Sequence, residues 1–416
     1  MNLLLQPSIC NPQSDIKITG SKSETNRLLL LHALFRNITI ENISNSDDSE
    51  VMQMALSKDL SSRAEAGEID IHHAGTAMRF LTAFFAIQEN RTVTLTGSPR
   101  MKERPIKILV DALRQLGAKI EYVEGEGFPP IKITGQKLTK SNVALPASVS
   151  SQYISALLLI ASKLENGIEL KLEGQITSVP YIKMTLALLK EIGVETSFIQ
   201  NKITVIPQNS NLKHQILTVE SDWSSASYFY SIVALAKEGT TITLSSYKEN
   251  SLQGDSALAE IYKKLGVETI FKNNAITLKK SQHSPFTIDQ LNLNNCPDIA
   301  QTIVVTCLGL GIGCNLTGLH TLKIKETDRL EALRIELTKL GANISVTNES
   351  LTLQPSAHIN SNVKITTYND HRMAMAFAPL ALKEPIIIEN AEVVSKSFPD
   401  FWNDLKSLGF RMSEID

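Results

Sequence analysis

Charged side chains in this 416-residue sequence recur where an apolar helix is predicted to begin. Asn369 or Asp370 can cap a helix predicted over residues 373–382, because a short side-chain oxygen accepts an orphan amide hydrogen of the first turn. Arg372 adds a fixed positive charge at the positive end of that helix dipole. Such a helix start suits an anion, such as a phosphate or a carboxylate. Taken alone, the stretch also fits a capped core helix with a solvated arginine.

Further basic residues occupy matching positions along the chain. They are Lys22 and Arg27 at a first helix start, Arg79 at a second, the basic segments 100–105 and 323–329 before amphipathic helices, and Lys396 near the end. Each one alone also fits a solvated surface charge. Because they recur at matching points, we interpret them together as parts of a local site for a multiply charged anion.

Two carboxylates and one polar tripeptide complete the candidate chemistry. Asp298 and Glu326 would weaken phosphate binding among so many cations, so their expected use is hydrogen bonding to sugar-like hydroxyls or proton transfer. Residues 150–152, Ser-Ser-Gln, combine hydroxyls, an amide and a helix start, which suits phosphate and also fits an ordinary N-cap. The sequence has no Walker loop, no GxGxxG after a strand and no GxSxG, which disfavours nucleotide binding and α/β-hydrolase chemistry.

The elements that must position these residues repeat along the chain. A polar helix start followed by a long apolar helix recurs near residues 21, 74, 148, 221, 297 and 369, mostly about 70 to 76 residues apart. Amphipathic helices alternate with these and end at Gly117, Gly193, Gly266, Gly341 and Gly409, each suited to the C′ position. Short β-branched stretches, such as residues 92–96, 131–134 and 350–353, predict the strands between the helices.

This pattern predicts six repeats of about two helices and three or four strands, with one helix buried and an amphipathic helix covering it. Residues 57–68 lack the helix-ending C′ glycine and the following strand that mark the other repeats, so we expect a shortened first repeat. Since chains beyond about 250–300 residues usually split, we predict an α/β (α+β) fold with two domains of three repeats each. If the buried helices run parallel within each domain, two facing domains would direct their positive N-termini into one cleft.

Composition disfavours several other classes of protein. The net charge of −2 provides no global basic field for nucleic acid or for an acidic membrane. Residues 1–5 lack the features of a signal peptide, and the apolar run 303–319 is interrupted by glycines and therefore indicates helix, turn and strand. The four cysteines have no CxxC spacing or nearby histidine, which is typical of free thiols in a cytosolic protein and leads us to expect no metal site.

Nine motifs in order carry a resemblance to a known family. The chain resembles 5-enolpyruvylshikimate-3-phosphate (EPSP) synthase, or 3-phosphoshikimate 1-carboxyvinyltransferase, from about Gly20 to Phe401. The motifs are SKSETNR at 21–27, AGTAMR at 74–79, PRMKERP at 99–105, SVSSQ at 148–152, SVPYI at 178–182, DWSSASY at 222–228, KETDR at 325–329, NDHRMAM at 369–375 and KSFPDF at 396–401.

The resemblance implies a fold and an activity. The fold would have two domains, each of three βαβαββ-type units, with the active site between them, at 21–219 and at 1–20 with 220–416. The activity would be transfer of the enolpyruvyl group of phosphoenolpyruvate to the 5-hydroxyl of shikimate 3-phosphate, with release of phosphate. No metal or organic cofactor is implied. We expect a cytoplasmic monomer whose partners are these two small molecules.

The resemblance also implies a role for each matching residue. The residues that would hold shikimate 3-phosphate are Lys22, Ser23, Arg27, Ser150, Ser151, Gln152, Ser178, Tyr181, Asp298 and Lys325. Ser150, Ser151 and Ser178 would take its phosphate. The residues that would hold phosphoenolpyruvate are Lys22, Gly75, Arg104, Gln152, Arg329, Arg372 and Lys396. Asp298 would accept the proton of the attacking hydroxyl, and Glu326, helped by Lys22, would protonate the methylene carbon.

The sequence departs from the family pattern at a few positions. His72 and His73 precede Ala-Gly-Thr-Ala where many members have Gly-Asn, and Phe80 replaces a proline. Thr321 and Lys323 replace an asparagine and an arginine before Lys325. Because Gly75 is present, we expect inhibition by glyphosate.

Two alternative functions stay open at this point. A related enolpyruvyl transferase acts on UDP-N-acetylglucosamine and typically carries a cysteine in the loop that corresponds to residues 100–105, where this sequence has none. A non-catalytic anion-binding or scaffold protein could use the same cleft, but Asp298, Glu326 and the full set of expected Lys and Arg residues argue against it.

Overall fold

Two units divide the chain, and each has its own hydrophobic core. The structure, a computed structural model, describes residues 1–6, 13–57, 67–147, 150–208, 214–281 and 288–415. The first unit is Ser21–Val219, and the second combines Met1–Gly20 with Glu220–Asp416. The buried apolar side chains form two clusters, one in each unit.

Each unit alternates long buried helices with shorter or more amphipathic ones. The helices of the first unit are α1 (Lys22–Leu34), α2 (Asp47–Ser57), α3 (Gly75–Ala86), α4 (Pro99–Lys102), α5 (Lys107–Gln115), α6 (Ser151–Ala161) and α7 (Val179–Glu191). Those of the second unit are α8 (Trp223–Leu235), α9 (Leu258–Lys264), α10 (Ala300–Leu310), α11 (Arg329–Lys339), α12 (His371–Phe377) and α13 (Phe401–Ser407). Short 3-10 helices also occur in the second unit, at Gly254–Ala257, Pro297–Ile299, His320–Ile324, Ala378–Leu382 and Ala391–Lys396.

The strands are short and lie between the helices. The amino-terminal strands are β1 (Asn2–Gln6) and β2 (Gln13–Ile16). The first unit contains β3 (Ile38–Glu41), β4 (Gly67–Asp70), β5 (Thr92–Thr96), β6 (Lys119–Tyr122), β7 (Ile131–Thr134), β8 (Asn142–Pro146), β9 (Ile168–Glu173), β10 (Thr196–Ile199), β11 (Lys202–Val205) and β12 (Gln215–Thr218). The rest of the second unit contains β13 (Thr241–Ser245), β14 (Val267–Lys272), β15 (Ala275–Lys280), β16 (Ile288–Asn292), β17 (Cys314–Thr317), β18 (Ile344–Val346), β19 (Ser350–Leu353), β20 (Val363–Ile365), β21 (Ile386–Ile388) and β22 (Arg411–Ile415).

The four-stranded sheets share one topology. In the order β4-β5-β7-β6, the first two strands are parallel and the others antiparallel, so the chain runs βαβαββ through α3 and α5. The sheets β8-β9-β11-β10 and β16-β17-β19-β18 repeat this order. Leu95 pairs with Ile131 in one sheet and Leu316 with Leu351 in another, which places apolar side chains toward the helices in both.

Strands from distant parts of the chain complete the remaining sheets. β2 pairs in parallel with β13, and β1 lies between β21 and β22, so the amino terminus contributes to two repeats of the second unit. β12 pairs in parallel with β3 in a two-stranded sheet of the first unit. The segment 57–68, predicted as a shortened first repeat, lies mostly outside the described residues.

The observed elements confirm the predicted alternation of strands and helices. The predicted strands at residues 92–96, 131–134 and 350–353 are observed with the same bounds, and the five C′ glycines have φ between 83° and 104°. The run 303–319 is indeed the end of α10, a left-handed Gly311 and β17.

One helix prediction was too long. The helix predicted over residues 373–382 ends at Phe377 and continues as a 3-10 helix over Ala378–Leu382, because Pro379 has no amide hydrogen for the α-helical bond. None of the helices in the described part of the chain combines the length and the apolar content that crossing a membrane requires.

Candidate active site

Arg372 connects the starts of the three buried helices of the second unit. α10 packs against both α8 and α12. Asp370 caps α12 by accepting from the backbone amide of Arg372, 2.9 Å away. The arginine then donates from Nη1 to the carbonyl of Asp298, just before α10, at 3.2 Å, and from Nη2 to Oγ of Ser224, at the start of α8, at 3.2 Å. The N-termini of these three helices therefore meet around one guanidinium, and their dipoles add to its positive charge.

Arg329, the first residue of α11, lies among three carboxylates. It is 1% exposed. Nε and Nη2 contact the two oxygens of Asp370 at 2.6 and 3.3 Å, Nη1 donates to Oδ1 of Asp298 at 2.8 Å, and Nη2 donates to Oε2 of Glu326 at 2.8 Å. Burying a guanidinium is tolerable here because every face of it meets a carboxylate. We call Ser224, Asp298, Lys325, Glu326, Arg329, Asp370 and Arg372 the second-unit cluster.

Asp298 is the point at which the cations of this cluster converge. Its side chain is 17% exposed, and Oδ1 lies 3.3 Å from Nζ of Lys325 as well as 2.8 Å from Arg329. Oδ2 lies 3.7 Å from Nη2 of Arg372. Burial alone would raise the pKa of Asp298, but Lys325, Arg372 and Arg329 together outweigh it and hold that pKa well below its usual range.

A strained turn leads into α12 beside this cluster. Tyr368 and Asn369 both have left-handed backbones, with φ of 54° and 53°, which is uncommon for a residue as bulky as tyrosine. The carbonyl of Asn369 accepts a hydrogen bond from Nζ of Lys396 at 2.6 Å. Lys396 is therefore anchored to the turn that precedes the capping residue Asp370 and Arg372.

The first unit also brings helix starts together. Gln152, in the first turn of α6, donates from Nε2 to the hydroxyl of Thr76 in the first turn of α3, at 3.1 Å. The guanidinium of Arg104 lies over Gly75, the first residue of α3, because a Cβ added at Gly75 would be 2.5 Å from Nη1 of Arg104. A side chain at position 75 would thus compete with Arg104 for space.

Lys22, at the start of α1, joins the same end of the first unit through Asp48. Nζ of Lys22 lies 3.1 Å from Oδ2 of Asp48, in the first turn of α2, and Nε2 of His73 lies 3.7 Å from Oδ1. The Asp48 side chain is 8% exposed, whereas that of His73 is 31% exposed. We call Lys22, Asp48, His73, Gly75, Thr76, Arg104 and Gln152 the first-unit cluster.

Arg27 is buried among neutral partners in the first unit. Its donors contact the hydroxyls of Thr185 and Ser155 at 2.8 and 2.9 Å and the carbonyls of Ser23 and Tyr181 at 2.7 and 3.4 Å. Burial lowers the pKa of Arg27 to about 10, because the opposing effects of Tyr181 and Glu24 do not offset the cost of removing the charge from water. The guanidinium is thereby fixed in place while it keeps its positive charge at neutral pH.

Phe80 accounts for one departure from the family pattern. This side chain is fully buried, and the centroid of its ring lies 5.4 Å from the guanidinium carbon of Arg27. The ring of Tyr181 lies 5.9 Å from the same carbon. The phenylalanine therefore adds a cation–π contact to the neutral surroundings of Arg27, which a proline could not supply.

The three serines assigned to phosphate lie at helix starts in the same unit. Ser150 caps α6 by accepting from the amide of Gln152 at 3.3 Å, and Ser151 is the first residue of that helix. Ser178 precedes α7 and has φ of 53°, a left-handed conformation that is unfavourable for serine. Non-glycine residues in this conformation cluster at ligand-binding sites, where the strain is maintained by the surrounding structure.

Two other departures lie beside the second-unit cluster without joining it. Lys323 donates to Oδ1 of Asn348 at 2.8 Å, and Thr321 is 8% exposed with no hydrogen-bond partner for Oγ1 among the described residues. Neither residue contacts Asp298 or Lys325 in the interactions that define the cluster.

Sequence reasoning missed several residues that hold these clusters together. Asp48, Ser224 and Asp370 each bind a cation that was assigned to the site, and Asp370 was interpreted only as a helix cap. An acidic residue within the first turn of an apolar helix was an available signal, because such a side chain lies beside the next helix start. Across the described residues, no group of three or more His, Cys, Asp or Glu side chains is arranged to hold a metal ion.

Comparison with known proteins gives consistent relatives. The family profile described as EPSP synthase (3-phosphoshikimate 1-carboxyvinyltransferase) matches residues 56–405. A 3-phosphoshikimate 1-carboxyvinyltransferase of Bacteroides fragilis is 46% identical over 404 residues, which is 96% of each chain. The enzyme of the same name from Shewanella halifaxensis is 36% identical over 431 residues, covering 98% of this chain and 100% of its own.

Solved structures share the fold at lower identity. The EPSP synthase from Acinetobacter baumannii has a TM-score of 0.80 at 21% identity and covers 100% of both chains. An enolpyruvyl transferase from Streptomyces tendae has a TM-score of 0.74 at 14% identity and covers 99% of this chain and 98% of its own. These two likenesses concern the fold alone, which therefore does not select among enolpyruvyl transferases.

Proposed function

The chain belongs to the EPSP synthase family, and we propose that it carries out this family's reaction with the residues of the two clusters. Enzymes of this family transfer the enolpyruvyl group of phosphoenolpyruvate to the 5-hydroxyl of shikimate 3-phosphate and release phosphate, a step in the biosynthesis of aromatic amino acids. The observation that best supports the proposal is Asp298, a carboxylate held among Lys325, Arg329 and Arg372.

Phosphoenolpyruvate, with a phosphate and a carboxylate, needs several cations. The cations that we assign to phosphoenolpyruvate are the guanidinium groups of Arg104, Arg329 and Arg372 and the ammonium groups of Lys22 and Lys396. Gln152 would add a neutral amide donor, and Gly75 leaves the space in which Arg104 lies. Each of these residues lies at or beside a helix start, where the backbone adds further donors for an anion.

Shikimate 3-phosphate needs a phosphate site and partners for its hydroxyls and carboxylate. We assign its phosphate to Ser150, Ser151 and Ser178, which lie at the starts of α6 and α7. The remaining assigned contacts come from charged and polar side chains of both units: Lys22, Ser23, Arg27, Gln152, Tyr181, Asp298 and Lys325. Arg27 is already fixed by neutral partners, so substrate binding costs little further ordering at that residue.

The proposed chemistry is addition followed by elimination. The 5-hydroxyl oxygen attacks C2 of phosphoenolpyruvate while Asp298 accepts its proton, and Glu326, assisted by Lys22, donates a proton to the methylene carbon. The resulting tetrahedral ketal carries the phosphate at the former C2. Loss of a proton from the new methyl group to Glu326 then expels phosphate by cleavage of the C–O bond, which restores the C=C bond and forms the enol ether, and the proton on Asp298 passes to the departing phosphate. Preorganised donors around the phosphate stabilise both transition states.

The surroundings of Asp298 explain how a weakly basic carboxylate could act as the base. The cations that lower its pKa, Lys325, Arg329 and Arg372, are the same residues that are proposed to bind the anionic substrates. When substrate phosphate and carboxylate groups share these cations, their effect on Asp298 is partly offset. Its pKa then rises toward its ordinary value, so the carboxylate becomes a stronger base only when both substrates are bound.

We further infer that the two units are the two domains of the family, with boundaries at 21–219 and at 1–20 with 220–416. We also propose that the protein acts as a monomer in the cytoplasm. Sedimentation of the purified chain would test whether it is a monomer, since a dimer would have twice the monomer mass of 45.8 kDa.

Phosphate release from phosphoenolpyruvate tests the function directly. The purified protein is mixed with phosphoenolpyruvate and, separately, with shikimate 3-phosphate or UDP-N-acetylglucosamine as the acceptor. We expect release with shikimate 3-phosphate alone, and inhibition of that release by glyphosate. Asp289→Asn serves as the control for Asp298→Asn, because Asp289 is an exposed carboxylate of the same unit.

The outcomes separate the three functions. Release with UDP-N-acetylglucosamine would favour the sister activity, although residues 100–105 contain no cysteine. Binding of both substrates without release would favour the non-catalytic alternative. Release with shikimate 3-phosphate that persists in Asp298→Asn would retain the function but remove Asp298 from its proposed role.

A further inference from the structure

Asp255 is a buried carboxylic acid of the second unit that has no role in the mechanism above. It lies in the 3-10 helix Gly254–Ala257, immediately before α9, and is 1% exposed. Its Oδ2 accepts a short hydrogen bond from the hydroxyl of Ser224, whereas Oδ1 has no hydrogen-bond partner among the described residues. A buried carboxylate with an unpaired oxygen is costly, so its presence requires an explanation.

Ser224 connects this carboxylate to the second-unit cluster. Nη2 of Arg372 donates to Oγ of Ser224 at 3.2 Å. Burial raises the pKa of Asp255 to about 6 while Arg372 opposes that rise, so Asp255 is mostly ionised at pH 7.5. An ionised carboxylate only accepts hydrogen bonds, so the hydroxyl hydrogen of Ser224 must point toward Asp255. The lone pairs of that hydroxyl then face the guanidinium.

We propose that Asp255 is a positioning residue for phosphoenolpyruvate: it orients the hydroxyl of Ser224, which in turn holds Arg372. Nη1 of Arg372 is held separately by the carbonyl of Asp298. With both terminal nitrogens fixed, the guanidinium needs no further ordering when an anion binds. The inference rests on the proposed role of Arg372 in binding phosphoenolpyruvate.

A purely structural role for Asp255 is less consistent with its surroundings. The segment before it is already anchored by Gln253, which accepts from the amide of Trp223 at 3.0 Å and donates to the carbonyl of Ser221 at 2.9 Å. Ser251 of the same segment donates to Glu220 at 2.6 Å. The loop is thus held without the bond from Ser224 to Asp255, which leaves that bond to act on Arg372.

We call the chain of contacts from Asp255 through Ser224 to Arg372 the relay. Steady-state kinetics of four variants at pH 7.5 test it. Ser224→Ala should raise the KM for phosphoenolpyruvate about 10-fold, the typical effect of a lost hydrogen bond to a charged group. Asp255→Asn should also raise it, because an amide can donate as well as accept and so no longer fixes the direction of the Ser224 hydroxyl hydrogen. The KM for shikimate 3-phosphate and kcat should change less than about threefold. The double variant should be no worse than the larger single variant, because both substitutions break one pathway. Ser224→Thr, which keeps the hydroxyl, should restore the normal KM.

Asp404→Asn is the control, since Asp404 is a partly buried carboxylate of the second unit whose pKa is also raised, to about 7, by burial and Asp400. It should leave both KM values unchanged.

Several results would overturn the relay. Additive effects in the double variant would mean that Asp255 acts on Arg372 without Ser224. A lower KM in Asp255→Asn would mean that its negative charge repels the substrate more than its geometry helps. An equal rise in both KM values would indicate general loosening of the unit. If Asp255→Asn does not fold, Ser224→Ala and Ser224→Thr decide alone, and equal KM values in these two would refute the relay.

One further variant separates the relay from the function on which it rests. Arg372→Gln should raise the KM for phosphoenolpyruvate by much more than 10-fold. If it does not, the assignment of Arg372 is wrong. If Arg372→Gln has this effect while Asp255→Asn and Ser224→Ala have none, only the relay is wrong.

Discussion

The two units bury arginines of similar exposure in opposite chemical surroundings. Arg329 in the second unit is 1% exposed and contacts carboxylates on every side. Arg27 in the first unit is 2% exposed, and its hydrogen bonds and ring contacts are to hydroxyls, carbonyls and aromatic rings, with a smaller favourable charge from Glu24. Burial accordingly lowers the pKa of Arg27 to about 10, whereas around Arg329 the carboxylates of Asp370, Glu326 and Asp298 outweigh burial and raise the pKa.

The different surroundings of Arg329 and Arg27 suit different tasks. Those of Arg329 suit proton transfer, and those of Arg27 suit ligand binding. Around Arg329, an incoming anion changes the charge balance of Asp298 and Glu326, so substrate binding can alter their basicity. Around Arg27, the hydrogen-bonding partners are neutral, so the arginine gives a constant frame for a sugar-like ligand. This comparison predicts that substitutions of Asp298 and Glu326 affect turnover, whereas those around Arg27 affect mainly substrate affinity.

Asp298→Asn should have the largest effect on catalysis. Loss of a general base typically lowers kcat by about 10²–10⁴-fold, and the amide keeps the shape of the side chain. Affinities for both substrates should change less than about threefold, because Arg329 retains its contacts with Asp370 and Glu326. Rapid-quench turnover together with equilibrium binding measures the two quantities separately. A loss of binding that matches the loss of kcat would mean that Asp298 only binds substrate, and it would weaken the contrast between the two arginine sites.

Arg329→Met should destabilise the protein more than Arg27→Met. Removing the cation from a buried ion pair costs about 3–5 kcal/mol, because the remaining carboxylates are uncompensated. Replacing Arg27 leaves neutral groups without a donor, at a cost of about 1–3 kcal/mol. Chemical unfolding at pH 8 gives both free energies, and each variant serves as the control for the other.

The pH dependence provides a further check on this pair. Lys325, Arg372 and Arg329 together hold the pKa of Asp298 well below that of the unfolded chain. The native state therefore binds fewer protons, so the stability that this shift contributes is present above the unfolded pKa of about 4 and is lost as the pH falls. Arg329→Met removes one of these cations, so its loss of stability should be smaller at pH 3 than at pH 8, while Arg27→Met should show similar losses at both. Equal pH dependence of the two variants would contradict the proposed difference.

Much of the fold could be predicted from the sequence because it depends on local signals. Gly117 and Gly341 end amphipathic helices in left-handed conformations, with φ of 104° and 92°, as their position after the last apolar turn indicates. The short strands follow from β-branched runs between turn residues. The pairing of β1 with β21 and β22 was not predictable in this way, because it joins residues almost 400 positions apart and no local pattern specifies the partner.

The cations of the candidate site could be predicted from the sequence, but the side chains that fix those cations in place could not. Arg372 was suggested by its place at a helix start, and Asp298 by being a carboxylate among cations. Asp48 and Ser224 were missed because their roles depend on which helix starts lie side by side, a property of packing rather than of spacing along the chain. The same limit applies to Phe80, whose contact with Arg27 depends on packing between helices.

Gly75→Ala should have a moderate effect that is confined to phosphoenolpyruvate. The added methyl group would lie 2.5 Å from Nη1 of Arg104, so the flexible arginine must move away from the start of α3. We expect the KM for phosphoenolpyruvate to rise about 10-fold, equivalent to one hydrogen bond to a charged group, with kcat little changed. Gly125→Ala is the matched control, since a Cβ there meets nothing within 4 Å. A fall in kcat larger than the rise in KM would show that the start of α3 also takes part in the chemical step.

His73→Asn should have the smallest effect of these variants on the KM for phosphoenolpyruvate, and it tests whether the first unit responds to pH. His73 lies 3.7 Å from Asp48, which pairs with Lys22, and its side chain is 31% exposed, so solvent screens its charge. We expect the KM for phosphoenolpyruvate to change less than about threefold between pH 6 and pH 8. His72→Asn is the control, because His72 has a left-handed backbone, φ 48°, that asparagine tolerates, and its exposed ring contacts Asp70 instead. If His73→Asn alone removed a pH dependence of that KM, Asp48 and Lys22 would belong to a titrating network. The charges of the first unit would then also change with pH, and the proposed difference between the two units would be smaller.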